Sequence, residues 1–437
     1  MGQDSFLNEA QARWALSALW DRVGGCAEWD GTPVIEFIAA SFEAVESDLL
    51  APPGSIYWIK IDELLPIPQL QTSLANLDTS HLPFFFRGPK TGFKYSKDAE
   101  FPVDLVTATF LQLSRWEEWH EPTLDEFGCH VEASTFAFRQ GFIERPVIDE
   151  WALIVRYWLR IASPAWTPLM VKGGIELSHD IDVLRYYKNP GRFFRSLARK
   201  FFKEKRGLSS FMAINEGVSA FCDPLKDPCV TAIDVLMNFA EIRGLSTTFF
   251  FMASLPDVWD DGYDVFTPYF KVVRDRIRAR NHHLGWHPGY KAGRDELVLR
   301  EEYWRISNAL ELKNFPARHH FLRWSAADSL RRLAALGCQY DGSIGYNYRN
   351  GFRASTAHPY QAWDHELNTS LPIQVRPLVA MDGPLQRDER PVEELVRLLR
   401  NRCEMVNGYF TLCIHNYSLM NNSELLQSIG RGLDLQG

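Results

Sequence analysis

Asp180 and Asp182 stand two residues apart at the end of a short strand-like segment, Gly174-Ile-Glu-Leu-Ser178. In extended chain that spacing turns both carboxylates to the same side. Crowded carboxylates repel, and a metal ion held by one, with the other left as a base, resolves the conflict; a solvated loop or a helix cap is the alternative. His287 closes the run His282-His-Leu-Gly-Trp-His287, where an imidazole suits a divalent transition metal or is satisfied within a core. In a regular strand Arg318 and His320 share one face, with His319 and Arg323 on the other. An arginine aimed at an aspartate keeps it ionised and oriented, which makes His320 an additional ligand; packing or loop hydrogen bonding is the other reading of the His319-His320 pair. His415 ends the apolar run Tyr409-Phe-Thr-Leu-Cys-Ile-His415, a place for a general acid whose pKa partial burial keeps near neutrality. Asp382 would fix its tautomer, although Met381-Asp-Gly-Pro384 reads first as a surface turn.

These residues need a scaffold that brings strand ends together. From about Lys172 short apolar segments alternate with helical ones. Strands are expected at 174–178, 247–252, 283–287, 317–323, 339–343, 371–379 and 409–415, with helices at 232–241, 270–280, 296–312 and 326–336. Seven strand-plus-helix units predict an α/β fold, an open or closed β/α barrel, whose chemistry gathers at the C-terminal strand ends. The preceding residues mix a strand at 55–61, an amphipathic helix over 103–119 and turns rich in proline and aromatics, which predicts a separate α+β domain. The expected boundaries are 1–165 and 166–437.

With 437 residues and a charge of −8, the chain is long enough for two domains and repels phosphate backbones, so nucleic acid is not the expected partner. Seven scattered cysteines without a CxxC pair read as reduced thiols that pack. No secretory signal and no run of about 18 uncharged apolar residues is visible, so the expected location is cytoplasmic. Arg192 to Arg206 carries seven cations against one acid, with Phe193, Leu197 and Phe201 a turn apart. Such a helix either packs its aromatic side on the barrel or lies on an anionic membrane surface, at the inner face of the membrane in that case. Aromatics make up 13 % of the chain; most fall in strand cores, leaving Trp286, Tyr290, Trp324 and Tyr346 beside strand ends as candidates for a sugar platform.

The ordered set Ser178-His-Asp-Ile-Asp182, His282-His-Leu-Gly-Trp-His287, Arg318-His-His-Phe-Leu-Arg-Trp324 and Ile414-His415 resembles the polysaccharide deacetylases of the NodB homology type, carbohydrate esterase family four. Leu113-Ser-Arg-Trp-Glu-Glu-Trp119, Asp125-Glu-Phe-Gly128, Tyr340-Asp-Gly-Ser343 and Gly351-Phe-Arg-Ala354 extend it over the whole chain, toward a bacterial subfamily with an extra N-terminal domain. The resemblance implies a distorted seven-stranded barrel around one divalent metal, zinc above others. It implies Asp180 as catalytic base, Arg318 as its partner, His415 as general acid, and Asp182 and His287 as metal ligands. The family's second histidine four residues on is replaced by Lys291, which cannot ligate when protonated. His320 is then the expected third ligand, from strand parity with Arg318, and His179 the second candidate. Tyr290, Trp324 and Arg353 form the expected substrate-binding set, with a loop salt bridge as the alternative for Arg353. The implied activity is N-deacylation, chiefly deacetylation, of an amino sugar of a bacterial surface polysaccharide such as lipopolysaccharide O-antigen, met as a nucleotide-linked or lipid-linked precursor. The alternatives are a catalytically silent carbohydrate-binding protein and a hydrolase of another amide.

Overall fold

The computed structural model describes residues 104–162, 166–169, 171–188, 191, 217–422 and 424–434, and before residue 104 the segments 5–24, 36–38, 42–49, 52, 57–60, 81–84, 92–96 and 99–101. The basic stretch Arg192–Arg206 lies outside the described residues.

The N-terminal part mixes short antiparallel strands with helices. β1 (Glu36–Ile38), β4 (Gly92–Ser96) and β5 (Ala99–Phe101) form one sheet, and β2 (Tyr57–Lys60) pairs with β3 (His81–Phe84). The expected helix over 103–119 is two helices, Leu105–Ser114 and Trp116–His120. Arg115 separates them with a left-handed φ of 55°, and its guanidinium turns back onto Glu118 at 2.7 Å. Helix Val147–Ala162 ties this part to the rest through Asp149, whose Oδ1 accepts from Arg22 Nε at 2.9 Å and Thr356 Oγ1 at 2.7 Å.

The C-terminal part is built on a parallel sheet of five strands. They are β6 (Ile175–Ile181), β7 (Thr247–Met252), β8 (His283–His287), β12 (Ala380–Met381) and β13 (Phe410–Cys413), in the order β12-β13-β6-β7-β8. β7, Thr-Thr-Phe-Phe-Phe-Met, is buried on both faces, as a central parallel strand must be. Helices cover the sheet and start where the sequence supplies caps. Asp227 accepts from Cys229 N–H ahead of Pro228–Glu241, and Asp295 accepts from Leu297 and Val298 N–H ahead of Glu296–Leu310.

Among the described residues the strand pairing does not confirm the expected seven-stranded barrel, open or closed. Past β8 the sheet continues through two single bridges, Trp286 to Ala317 and Ala317 to Asp341, to β9 (Tyr340–Asp341). β9 joins β11 (Thr369–Val375) in parallel, and β11 pairs antiparallel with β10 (Tyr360–Asp364), a strand the sequence pattern did not show. The expected strand over 317–323 shrinks to its one bridging residue because Phe321 and Leu322 take left-handed φ of 58° and 48° inside a tight turn, which ends extended pairing.

Candidate metal and proton-transfer site

β6 carries Asp180 within the strand and Asp182 just past its end, so the two-residue period aims both at the end of the sheet where β8 and β13 also finish. Asp180, Asp182, His287, His320, Asp382 and His415 line a single cavity of about 520 Å³.

Arg318 follows the bridging Ala317 and is held at every donor that matters. Its Nε donates to the Gly342 carbonyl at 3.0 Å, and its NH1 donates to Ser178 Oγ and to Asp180 Oδ1, both at 2.9 Å. Its guanidinium lies 4.5 Å from the centre of the Phe250 ring. Burial raises the Asp180 pKa; the charges of Arg318, His287 and His415 together outweigh it and hold the carboxyl below its usual value.

Three histidines turn Nε2 toward Asp182. His287 Nδ1 lies 2.5 Å from the Arg318 carbonyl, which can only accept, so Nδ1 carries a proton; burial lowers the pKa of this imidazole, and the Asp180 and Asp182 carboxylates more than offset it. Its Nε2 is 3.1 Å from Asp182 Oδ1. His320 Nδ1 donates to Asp260 Oδ1 at 2.7 Å, leaving its Nε2 3.8 Å from Asp182 Oδ2. His415 receives both ends of Asp382: its backbone N–H donates to Oδ2 at 2.9 Å and its Nδ1 to Oδ1 at 2.7 Å, with Nε2 3.7 Å from Asp182 Oδ2. Burial lowers the His415 pKa, and the Asp382 and Asp182 carboxylates more than offset it, holding the imidazole at about 10. Burial likewise opposes ionisation of Asp182, but the surrounding histidines keep it well below the usual carboxylate range.

The donor set fits a divalent cation. Asp182 Oδ1 and His287 Nε2 are buried and face each other at 3.1 Å with no other hydrogen-bond partner among the described residues, a pairing that a cation could replace. One ligand atom from each of Asp182, His287 and His320 lies within 4.8 Å of the others, and both histidines are oriented from behind, by a carbonyl and a carboxylate. A second cluster, Asp180, Cys413 and His415, is less suited, because burial pushes the Cys413 thiol far above its ordinary value.

Several expectations need correction. His320 reaches the site through the turn at Phe321, with its N–H donating to the Pro288 carbonyl at 2.9 Å, and not through strand parity. His179 faces the other side of β6, fully buried, with Nδ1 on the Ile414 carbonyl at 2.9 Å and its ring against Phe249. Lys291 points outward to Asp257 at 3.2 Å. None of Tyr290, Trp324 and Arg353 lines the cavity. Tyr290 is sandwiched between Trp259, at 4.9 Å, and the Arg323 guanidinium, at 4.1 Å; Trp324 is only 3 % exposed; Arg353 is buried on Glu118 at 2.7 Å. Trp286 and Tyr346 are buried as well, so of the four aromatics expected as a sugar platform Tyr290 alone is partly exposed. Asp382 is no surface turn, being 1 % exposed and spent on His415. Asp260 was missed: it sits in a loop, Trp259-Asp-Asp-Gly262, with no periodicity to mark it.

Residues 29–164 match a family of unknown function, DUF7033. No curated protein matches the chain. Among solved structures, one from Mycobacterium smegmatis, provisionally named a polysaccharide deacetylase, is similar at 15 % identity over 61 % of this chain and 85 % of that one, with a TM-score of 0.38. A likeness that loose transfers neither chemistry nor residues to this chain.

Proposed function

We propose that the chain is a metal-dependent N-deacylase that removes an acyl group, chiefly acetyl, from an amino sugar. The observation that carries the reading is the convergence of the Asp182, His287 and His320 ligand atoms beside the Arg318–Asp180 and Asp382–His415 pairs in one cavity. A divalent cation on Asp182, His287 and His320, zinc being the one this N/O set suits, would supply Lewis acidity toward water and a carbonyl oxygen. Asp180, kept ionised by Arg318, accepts the proton of the attacking water. His415, oriented by Asp382 and held protonated by it, donates a proton to the departing amine nitrogen. Asp260 and the Arg318 carbonyl hold the two histidine rings in the tautomer that leaves Nε2 free. The silent-binder alternative rested on Lys291 having removed a ligand, and His320 beside Asp182 weakens it.

Acyl release from a panel of free, nucleotide-linked and lipid-linked N-acetyl and N-formyl amino sugars tests the proposal. Release should disappear after chelation and return with zinc or another divalent ion. No release from any panel member by metal-loaded protein overturns the reading, and release unaffected by chelator overturns its metal dependence. No helix among the described residues is long and apolar enough to cross a membrane.

A further inference from the structure

Resting on that reading, we infer that Phe127, from the N-terminal part, forms with Phe321 an aromatic platform on which the apolar face of a pyranose ring packs, which makes residues 125–129 a substrate-recognition element. Both rings line the cavity that holds Asp180, Asp182 and His415. Their centroids are 5.5 Å apart and their planes 8° from parallel, an offset stack in which Phe321 backs the Phe127 ring. Gln386 and Arg387 line the same cavity and supply the polar groups that ring hydroxyls require. A sugar ring has that combination, an apolar C–H face and a polar edge, and pockets of this size select by pairing an apolar wall with a few placed polar groups.

The wall is preorganised at some cost. Asp125 Oδ1 accepts from Phe127 and Cys129 N–H, both at 2.9 Å, closing a tight loop that presents Phe127 at its tip. That loop is bolted to the C-terminal part: Arg323 Nε donates to the Phe127 carbonyl at 2.9 Å, and Arg294 donates to the Gly128 carbonyl at 3.0 Å. Gly128 has φ of +72°, and a Cβ there would meet the Arg323 guanidine at 3.1 Å, so glycine is required at this approach. On the other side Phe321 is a non-glycine residue held at φ 58°, a strained conformation that persists only where its surroundings impose it. Here the Phe321 carbonyl accepts from Asn347 Nδ2 at 2.6 Å and from the Cys129 thiol at 3.2 Å. The strained turn therefore serves two ends, bringing His320 to Asp182 and Phe321 to the wall.

The test is calorimetric titration of the full chain, metal-loaded, with methyl glycosides of N-acetylglucosamine, N-acetylgalactosamine and N-acetylmannosamine, alongside acyl release. At least one glycoside should saturate the protein. Phe127→Ala and Phe127→Leu should weaken that binding by about tenfold, the size of one aromatic contact, while Phe127→Trp keeps it within about twofold. Where release is measurable, KM should rise with kcat nearly unchanged. Phe127→Leu retains apolar bulk, so it reads the loss of a flat ring even if the alanine variant folds poorly. Binding within about twofold of wild type for the leucine variant, or no binding of any glycoside by wild type, overturns the inference. Binding that depends on Phe127 without acyl release leaves the platform standing and overturns the deacylase reading instead.

Discussion

Arg318–Asp180 and Arg353–Glu118 are both arginine–carboxylate pairs at nearly the same burial, with side chains between 2 % and 5 % exposed, and they do different work. Glu118 is saturated. Its Oε1 accepts from Arg115 Nε and NH2 and from Arg353 Nε, and its Oε2 from Arg353 NH2. Asp180 takes one bond from its arginine, on Oδ1, and lines the cavity. Both carboxyls sit below their usual pKa: burial opposes ionisation, and neighbouring positive charge exceeds it, from Arg115 and Arg353 at Glu118 and from Arg318 with His287 and His415 at Asp180. What separates a structural pair from a site is thus the share of the carboxylate left facing a cavity, not its burial or its ionisation. Glu302 is the third case, a buried carboxylate with no arginine or lysine in ion-pair contact among the described residues, and burial pushes it up to about 8.

The largest expected effect falls on the open pair. Asp180→Asn preserves shape and removes the base, so turnover should drop by about 10²–10⁴-fold while bound metal stays stoichiometric. Near-normal turnover would mean that Asp180 is as structural as Glu118. The matching change at the closed pair, Glu118→Gln, leaves Arg115 and Arg353 buried around a neutral amide. It should cost about 3–5 kcal/mol of stability by denaturant midpoint, with the folded fraction keeping its metal and its turnover per molecule. Lost turnover at unchanged stability would erase the distinction.

The smallest effect is at Glu302, where the native value of about 8 lies above the ordinary 4.5. Between those values the native state retains a proton that the unfolded chain has released, so stability falls as pH rises from about 4.5 to about 8 and then levels. Glu302→Gln still accepts the Gly289 N–H, at 2.8 Å in the parent, and removes the titration. Melting temperatures of variant and parent should coincide near pH 4.5 and differ by roughly a few degrees, variant higher, near pH 8. An equal difference at both ends would show that the carboxyl is not held up by burial.

Legibility in the sequence followed the range of the forces involved. β7 and β8 were readable to the residue, 247–252 and 283–287, because a short segment with an apolar centre between turn signals is a local property. The segment 317–323 was misread as a strand because nothing in Ala-Arg-His-His-Phe-Leu-Arg signals two consecutive left-handed residues; long-range hydrogen bonds from Asn347 and Cys129 impose them. Asp382 was misjudged for the opposite reason, since its Met-Asp-Gly-Pro context is a genuine turn signal that says nothing about which side chain the turn will face. The aromatic candidates failed similarly. Trp286 and Trp324 are close to strand ends in sequence yet point into the core, while Phe127, nearly 200 positions from Phe321, forms the wall with it.

The sequence by itself determined the chemical vocabulary: paired aspartates at a strand end, histidines closing apolar runs, and an arginine placed to hold an aspartate ionised. Those follow from residue type and a two-residue period, which any extended segment expresses. Only the tertiary structure decided which histidine stands third at Asp182, which carboxylates orient the rings, and which aromatic ring meets the cavity. Each of those depends on backbone strain and hydrogen bonds between segments far apart in the chain, which become favourable only once the whole core has formed around them.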